Sequence, residues 1–349
     1  MNIRRLSRSL LLVTATAALA SVSAHAGEAV KWKMQAAFPS QLDTVGEAAV
    51  RFAKSLDEIS SGSLKVKFYE PRKLVPTLEI FKAVSKGSIE SGYTAAGFHS
   101  GSIPAAAFFT SVPFGPGPGE YLAWLKYGGG QEIKDEIYAK HGLKGPTCAI
   151  IPPEASGWFR QEIKTVDDFK GLKIRFFGLG ARVMTKLGAS TQLLAFGDIH
   201  PALERGLIDA AELSFPSIDY KLGMHKLAKH YYFPGWHNQS AVGEFLMNLQ
   251  AYEKLSQTHK KIIEYACEAN INWTLTTGEA RQFGAIEKIK AAGVTIHFWS
   301  DDILAKMRAA WQEVIEEASA KDPLFKRTYE SYAAFRSKYK IWRDHGYLK

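Results

Sequence analysis

The stretch Gly171–Glu212, GLKIRFFGLGARVMTKLGASTQLLAFGDIHPALERGLIDAAE, decides the reading of the whole chain. Leu172–Phe177 is a short apolar run of the kind that forms a buried strand, and it opens into Gly178-Leu179-Gly180. Helical segments follow at Ala181–Leu187 and His200–Arg205, separated by the strand-like Thr191–Ala195, before a last apolar strip, Ala210–Leu213. Short apolar runs alternating with helical ones indicate an α/β sheet. One residue breaks the pattern, because Arg175 stands inside the first strand. An unpaired guanidinium is costly to bury, so either a nearby carboxylate or a bound ligand must meet it.

The same alternation extends toward the N-terminus. Trp32–Ala37 reads as a strand and Thr44–Ile59 as a helix, with Val45, Ala48, Ala49, Phe52, Ala53, Leu56 and Ile59 on one face. Strand Leu64–Tyr69, helix Pro76–Ser85 and strand Glu90–Ala95 follow, an order that predicts a parallel sheet with right-handed crossovers. Ile103–Gly119 is rich in proline, glycine and phenylalanine and reads as an ordered loop. A helix from Glu120 carries Trp124 and Tyr127 into Gly128-Gly129-Gly130, which lacks the lysine ending of a phosphate loop. A second α/β unit starts near Cys148, and beyond Ala241–Asn248 the chain is helical apart from the alternating Gly293–Phe298. The simplest description is an α/β protein of two lobes. Residues 27–149 with about 241–290 form the first, 150–240 the second, and about 291–349 a strand and C-terminal helices.

The ends and the composition bound the function. Arg4, Arg5 and Arg8 precede the apolar Leu10–Val22, and Ala24-His25-Ala26 has the small-x-small form of an export cleavage site. Residues 1–26 are therefore expected to be a signal peptide, and the mature protein to work in the periplasm. Without those three arginines the formal charge falls from +9 to +6 (9 − 3). Basic residues are scattered among acids, so no nucleic-acid stripe is present, although the field favours small anions. Cys148 and Cys267 lack metal spacing and read as two buried thiols, with a disulfide as the alternative.

Catalytic patterns are missing. In Gly97-Phe98-His99-Ser100-Gly101 the serine comes one place too late for a nucleophile elbow. His225 and His230 have the wrong spacing for one helix face, and no metalloprotease, P-loop or dinucleotide fingerprint occurs. Glu154 and Glu212 could serve a secreted hydrolase as an acid/base pair, but nothing marks either as a catalyst. Exported, two-lobed and without a catalytic signature, the chain reads as a binding protein rather than an enzyme.

Several motifs carry a specific resemblance: Gly157-Trp158-Phe159-Arg160, Gly171-Leu172-Lys173-Ile174-Arg175 with Gly178-Leu179-Gly180, and Pro201-Ala202-Leu203-Glu204-Arg205-Gly206 with Ile208–Glu212. Tyr231–Trp236, Ala320–Phe325 and Tyr332–Arg336 complete the set. Together they resemble the extracytoplasmic solute receptors of tripartite ATP-independent periplasmic (TRAP) transporters, the DctP-type family. The similarity is greatest to the branch of dimeric receptors for 2-oxo acids and lactate, and it covers essentially the mature chain. The resemblance implies a periplasmic-binding-protein-like fold whose lobes close on the ligand. It also implies a homodimer through the long helical C-terminal part, and delivery of a small organic acid to membrane subunits that use a sodium gradient.

By the same resemblance Arg175 corresponds to the arginine that grips the ligand carboxylate, a task suited to a planar, permanently charged fork. Glu212 corresponds to an acid that helps hold a cation bridging to the ligand, with pairing to Arg175 as its structural alternative. The expected ligand-binding residues are Arg175, Glu154, Glu212, Phe98, Trp236 and Asn238; the expected metal-site residues are Glu212, Glu154 and Leu213. Trp158 is expected in the core. Three positions depart from the branch: Glu154 stands where glutamine is usual, Leu213 replaces a tryptophan, and a later acid is either replaced by Asn238 or shifted. Two ligand classes follow. One is a 2-oxo or hydroxy carboxylate with bound Na⁺ or Ca²⁺. The other is an amino-bearing carboxylate or sulfonate without metal.

Overall fold

Residues 29–348, described by a computed structural model, fold around two mixed sheets. The expected signal peptide lies outside the described residues. In chain order the strands are β1 (Val30–Ala36), β2 (Leu64–Tyr69), β3 (Ser91–Thr94), β4 (Leu143–Lys144), β5 (Thr147–Ile151) and β6 (Gly157–Phe159). They continue as β7 (Lys173–Arg175), β8 (Ser190–Gln192), β9 (Ala210–Ala211), β10 (His230–Phe233), β11 (Ala241–Asn248) and β12 (Thr295–Phe298). The first sheet has the order β2-β1-β3-β11-β4, with β5 also on β11; the second is β12-β10-β6-β9-β7-β8.

The expected parallel core is present in part. β1 pairs in parallel with β2 and β3, and the crossover helix Val45–Ile59 buries Ala48, Ala49, Phe52 and Leu56. Each fully buried side chain of the size of Phe52 or Leu56 contributes about 1.5–3 kcal/mol. The sheets are not wholly parallel, however. β11 runs antiparallel to β3, β4 and β5, and β6 antiparallel to β9 and β10. Both strands enter directly from the other lobe without a crossover helix, and a parallel neighbour would require one.

The chain crosses between sheets through Pro152–Ser156 and through Pro234–Ser240, and these crossings touch. A Cβ at Gly235 would sit 2.2 Å from the Glu154 carbonyl oxygen, so only glycine permits the approach. The third crossing is the 35-residue helix Gln257–Ala291, which packs on β5 and the Val45–Ile59 helix and reaches Pro216–Lys221 in the second lobe. It delivers β12 to the edge of the second sheet, parallel to β10. This strand therefore belongs to the second sheet rather than with the C-terminal helices alone.

The long helix also corrects the reading of the cysteines. Cys148 on β5 and Cys267 on the helix form a disulfide, their Cα atoms 4.2 Å apart although 119 residues separate them in sequence. Spacing along the chain carries no trace of that adjacency. The two C-terminal helices, Asp301–Lys321 and Pro323–Gly346, bridge the lobes. The first packs on helix Gly178–Lys186 and the second on Pro104–Phe109 and Pro118–Tyr127.

Candidate ligand-binding site

Arg175 ends β7, held by pairing to β8 on one side and β9 on the other. Its side chain is 1% exposed. Nη1 donates to the Glu212 carboxylate at 2.8 Å and to the Glu212 carbonyl at 2.7 Å, and Nε donates to the Leu194 carbonyl at 3.3 Å. Nη2 makes no hydrogen bond to any described residue. The carboxylate demanded by Arg175 is thus within the chain, yet half of the guanidinium fork remains unused. Phe177 and Phe196 flank it, their ring centres 5.8 and 5.6 Å from Cζ.

Glu212 follows β9 and accepts three times: from Arg175, from the Phe177 amide at 3.0 Å and from His237 Nε2 at 3.3 Å. Burial pushes its carboxyl up, but Arg175 and His237 outweigh burial and hold it below the ordinary range. Glu154, on the crossing after β5, accepts from Ser214 Oγ at 3.0 Å and from the Asn238 amide, and lies 3.6 Å from His237 Nε2. Burial, with the charge of Glu212, raises Glu154 above its usual value despite the His237 and Ser214 contacts. His237 is squeezed between both acids. Burial alone would lower it, but the two carboxylates prevail and lift it to about 9.

Those values set the sign of a pH effect. A histidine raised from 6.5 to about 9 on folding adds stability below the lower value, and that stability is lost as pH climbs through the upper one. Melting of metal-free protein is therefore expected to drop between those limits, and His237→Gln to flatten that limb. An unchanged profile in the variant would show that His237 is not the group responsible.

A cavity of about 70 Å³ lies between the lobes. A single water needs roughly 10–15 Å³ on the same measure, so the space suits a handful of heavy atoms. The second lobe supplies Arg175, Glu154, Glu212, Leu213, Ser214 and Asn238; the first supplies Tyr93, Phe98, Thr110 and Val242. Across the closure Phe38 meets Phe196 edge-on at 5.3 Å and Phe98 meets Phe177 at 4.9 Å. Also between the lobes, Arg72 Nη2 donates to both oxygens of Asp198 at 2.6 and 2.8 Å.

Of the residues singled out in the sequence, Arg175, Glu154, Glu212, Phe98, Asn238 and Leu213 all line this cavity. Trp236 does not; it is 2% exposed and packs between Phe114 and Phe176, whose aromatic surfaces cover it. Trp158 is in the core, stacked on Tyr231 at 4.0 Å with Nε1 donating to Asp219. Burial raises that aspartate to about 8 despite its two hydrogen bonds. His237 was missed, although it directly follows the quoted Tyr231–Trp236 motif. A buried histidine is recognisable only once its two acids are seen.

Glu154, Glu212 and His237 each place a ligand atom within 4.8 Å of the others. Asn238 Oδ1 is a buried acceptor without a partner among the described residues, and Leu213 can add only its carbonyl. Two carboxylates and a free amide oxygen suit a hard cation such as Na⁺ or Ca²⁺. Imidazole nitrogen does not, so His237 is better placed as a hydrogen-bond donor to both acids.

Comparison with known proteins identifies the family. Residues 36–322 match the bacterial extracellular solute-binding protein, family 7. The chain is 36% identical to a monocarboxylate 2-oxoacid-binding periplasmic protein of Nostoc, over 98% of this chain and 96% of that one. A TRAP solute-binding protein of Bordetella bronchiseptica, solved with copurified calcium and picolinate, superposes with a TM-score of 0.89 at 32% identity, covering 92% of this chain and 96% of that one. Another, from Pseudoalteromonas atlantica with sodium and pyruvate, gives 0.87 at 30% identity over 90% and 96%. The chain belongs to family 7 of the bacterial extracellular solute-binding proteins, the receptors of TRAP transporters.

Proposed function

We propose that this receptor captures a small monocarboxylate, a 2-oxo or hydroxy acid, together with Na⁺ or Ca²⁺, in the periplasm and passes it to TRAP membrane subunits. The observation that carries the reading is the unused Nη2 of buried Arg175, which lines a largely apolar cavity between the lobes. A ligand carboxylate there accepts from the free half of the fork. Among the lining residues Arg175 is the sole cation, so a second carboxylate on the ligand would be buried unpaired. Glu154, Glu212 and Asn238 Oδ1 would hold the cation, which when bound neutralises the acids and draws the oxygens of ligand and protein together. The ions and small acids named for the two structural relatives support this choice.

Closure follows from the same geometry. Arg175 and the acids lie in one lobe and Phe98, Tyr93 and Thr110 in the other, so a ligand touching both favours the closed state. The division into lobes at about 149 and 240 belongs to this reading. So does a homodimer through the C-terminal helices, where Ile341 and Trp342 are 70% and 58% exposed. Binding without turnover is expected.

Calorimetric titration with pyruvate, lactate, a dicarboxylate and taurine, each with sodium, calcium or chelator, tests the proposal. Monocarboxylates are expected to bind with cation present. Glu212→Gln is expected to weaken binding about ten- to a hundred-fold and to blunt its cation dependence. Equal affinity with cation and with chelator, and preference for taurine or an amino acid, would replace the metal-bridged carboxylate by the zwitterion.

A further inference from the structure

Phe114 links the C-terminal helices to the segment that borders the site. Phe114 has φ 52, a left-handed backbone that a bulky side chain adopts only when its surroundings impose it. Those surroundings are explicit. The Phe114 amide donates to the Trp236 carbonyl at 2.6 Å, and Arg336 Nη1 on the last helix donates to the Phe114 carbonyl at 2.9 Å. The ring packs on Trp236 at 5.7 Å, and the Arg308 guanidinium lies over it at 4.1 Å. Arg336 is itself fixed by Glu120 at 2.9 Å, and Ser240 donates to the Pro116 carbonyl at 3.0 Å to close the loop from its far side. Trp236 precedes the two residues that contact the acids: His237 to Glu212 and Glu154, and Asn238 to Glu154.

We propose that Arg308 and Arg336 are positioning residues for the ligand site, acting through Phe114 and Trp236 to set His237 and Asn238 against the two carboxylates. Neither arginine lines the cavity. Their action is to hold a strained residue whose amide and ring hold Trp236. If that strut is removed, Phe114 relaxes to negative φ, its amide leaves the Trp236 carbonyl, and the His237-Asn238 segment gains freedom that ligand binding must then remove. The C-terminal helices thereby tune the affinity of a cavity they do not touch. The inference rests on the cavity being the ligand site.

Arg308→Ala is the discriminating variant. Arg308 is exposed and makes no hydrogen bond or ion pair among the described residues, so its loss leaves the fold intact. Arg336→Met is the stronger perturbation, but it leaves buried Glu120 with Arg343 alone, at 3.3 Å, and its melting temperature must be followed alongside. Pyruvate with calcium is the probe. Arg308→Ala is expected to weaken it about three-fold, the scale of one cation–π contact, with melting unchanged. Phe114→Ala is expected to weaken it on the order of ten-fold. In a His237→Gln background both losses shrink to less than about two-fold, because the path ends at that side chain. Unchanged affinity in folded Arg308→Ala and Phe114→Ala overturns the proposal, as do equal losses in both backgrounds. Failure of the wild type to bind any carboxylate would instead overturn the assignment of the cavity.

Discussion

Arg175→Ala loses carboxylate binding by about thirty-fold to several thousand-fold, the range for truncating one partner of a buried charged hydrogen bond. The reason lies in Nη2, the one nitrogen of the guanidinium with no partner among the described residues. The variant is also less stable, because Arg175 neutralises Glu212 in a pair whose side chains are 1% and 2% exposed. Breaking such a pair costs about 3–5 kcal/mol. His237, 3.3 Å from the other Glu212 oxygen, offsets part of that loss. Affinity is therefore to be measured where circular dichroism shows the variant folded. Arg175→Lys separates charge from shape: lysine keeps the charge but lacks the rigid planar fork that aims one nitrogen at Glu212 and the other into the cavity. Its affinity should fall between wild type and alanine. A folded Arg175→Ala protein with wild-type affinity removes Arg175 from the site.

Reducing Cys148–Cys267, or replacing both by alanine, lowers stability by roughly 2–5 kcal/mol. The loop it closes spans 119 residues, and restricting so long a segment in the unfolded chain removes much of its entropy. The bond also acts locally. The Cys148 carbonyl accepts from Tyr93 Oη at 3.3 Å and from Asn270 Nδ2 at 3.0 Å, and Tyr93 and Ala149 line the cavity. A weaker grip of the long helix on β5 thus loosens one wall of the site, and saturating ligand recovers part of the lost stability by mass action. Urea midpoints with and without reductant are the measurement. Coincident midpoints would mean that the two sulfurs are not bonded in solution.

Much of the fold was legible because burial imposes periodicity. The helix over Val45–Ile59 and the strand Leu64–Tyr69 emerge from residues facing one core, and their observed bounds differ little from the pattern. Strand directions were not legible, since direction depends on the end from which a strand enters its sheet. β11 and β6 both follow a crossing between lobes, and a run such as Ala241–Asn248 contains no sign of that. Gly293–Phe298 alternates as an edge strand does, but its partner, β10, is chosen by where the long helix ends.

For the site, the division has the same cause. The sequence by itself determined that a permanently charged Arg175 in an apolar strand needs an anion, and that Glu212 and Glu154 are the acids at hand. It also determined, through several motifs in order, the family to which the chain belongs. Only the tertiary structure decided that Glu212 takes one half of the fork and leaves the other, that His237 bridges both acids, and that Trp236 is packed away from the cavity. It alone decided that the two cysteines meet. Residue type specifies which charge must be compensated; which group compensates it depends on distances of about 3 Å, and these are set by how two sheets and three crossings close together.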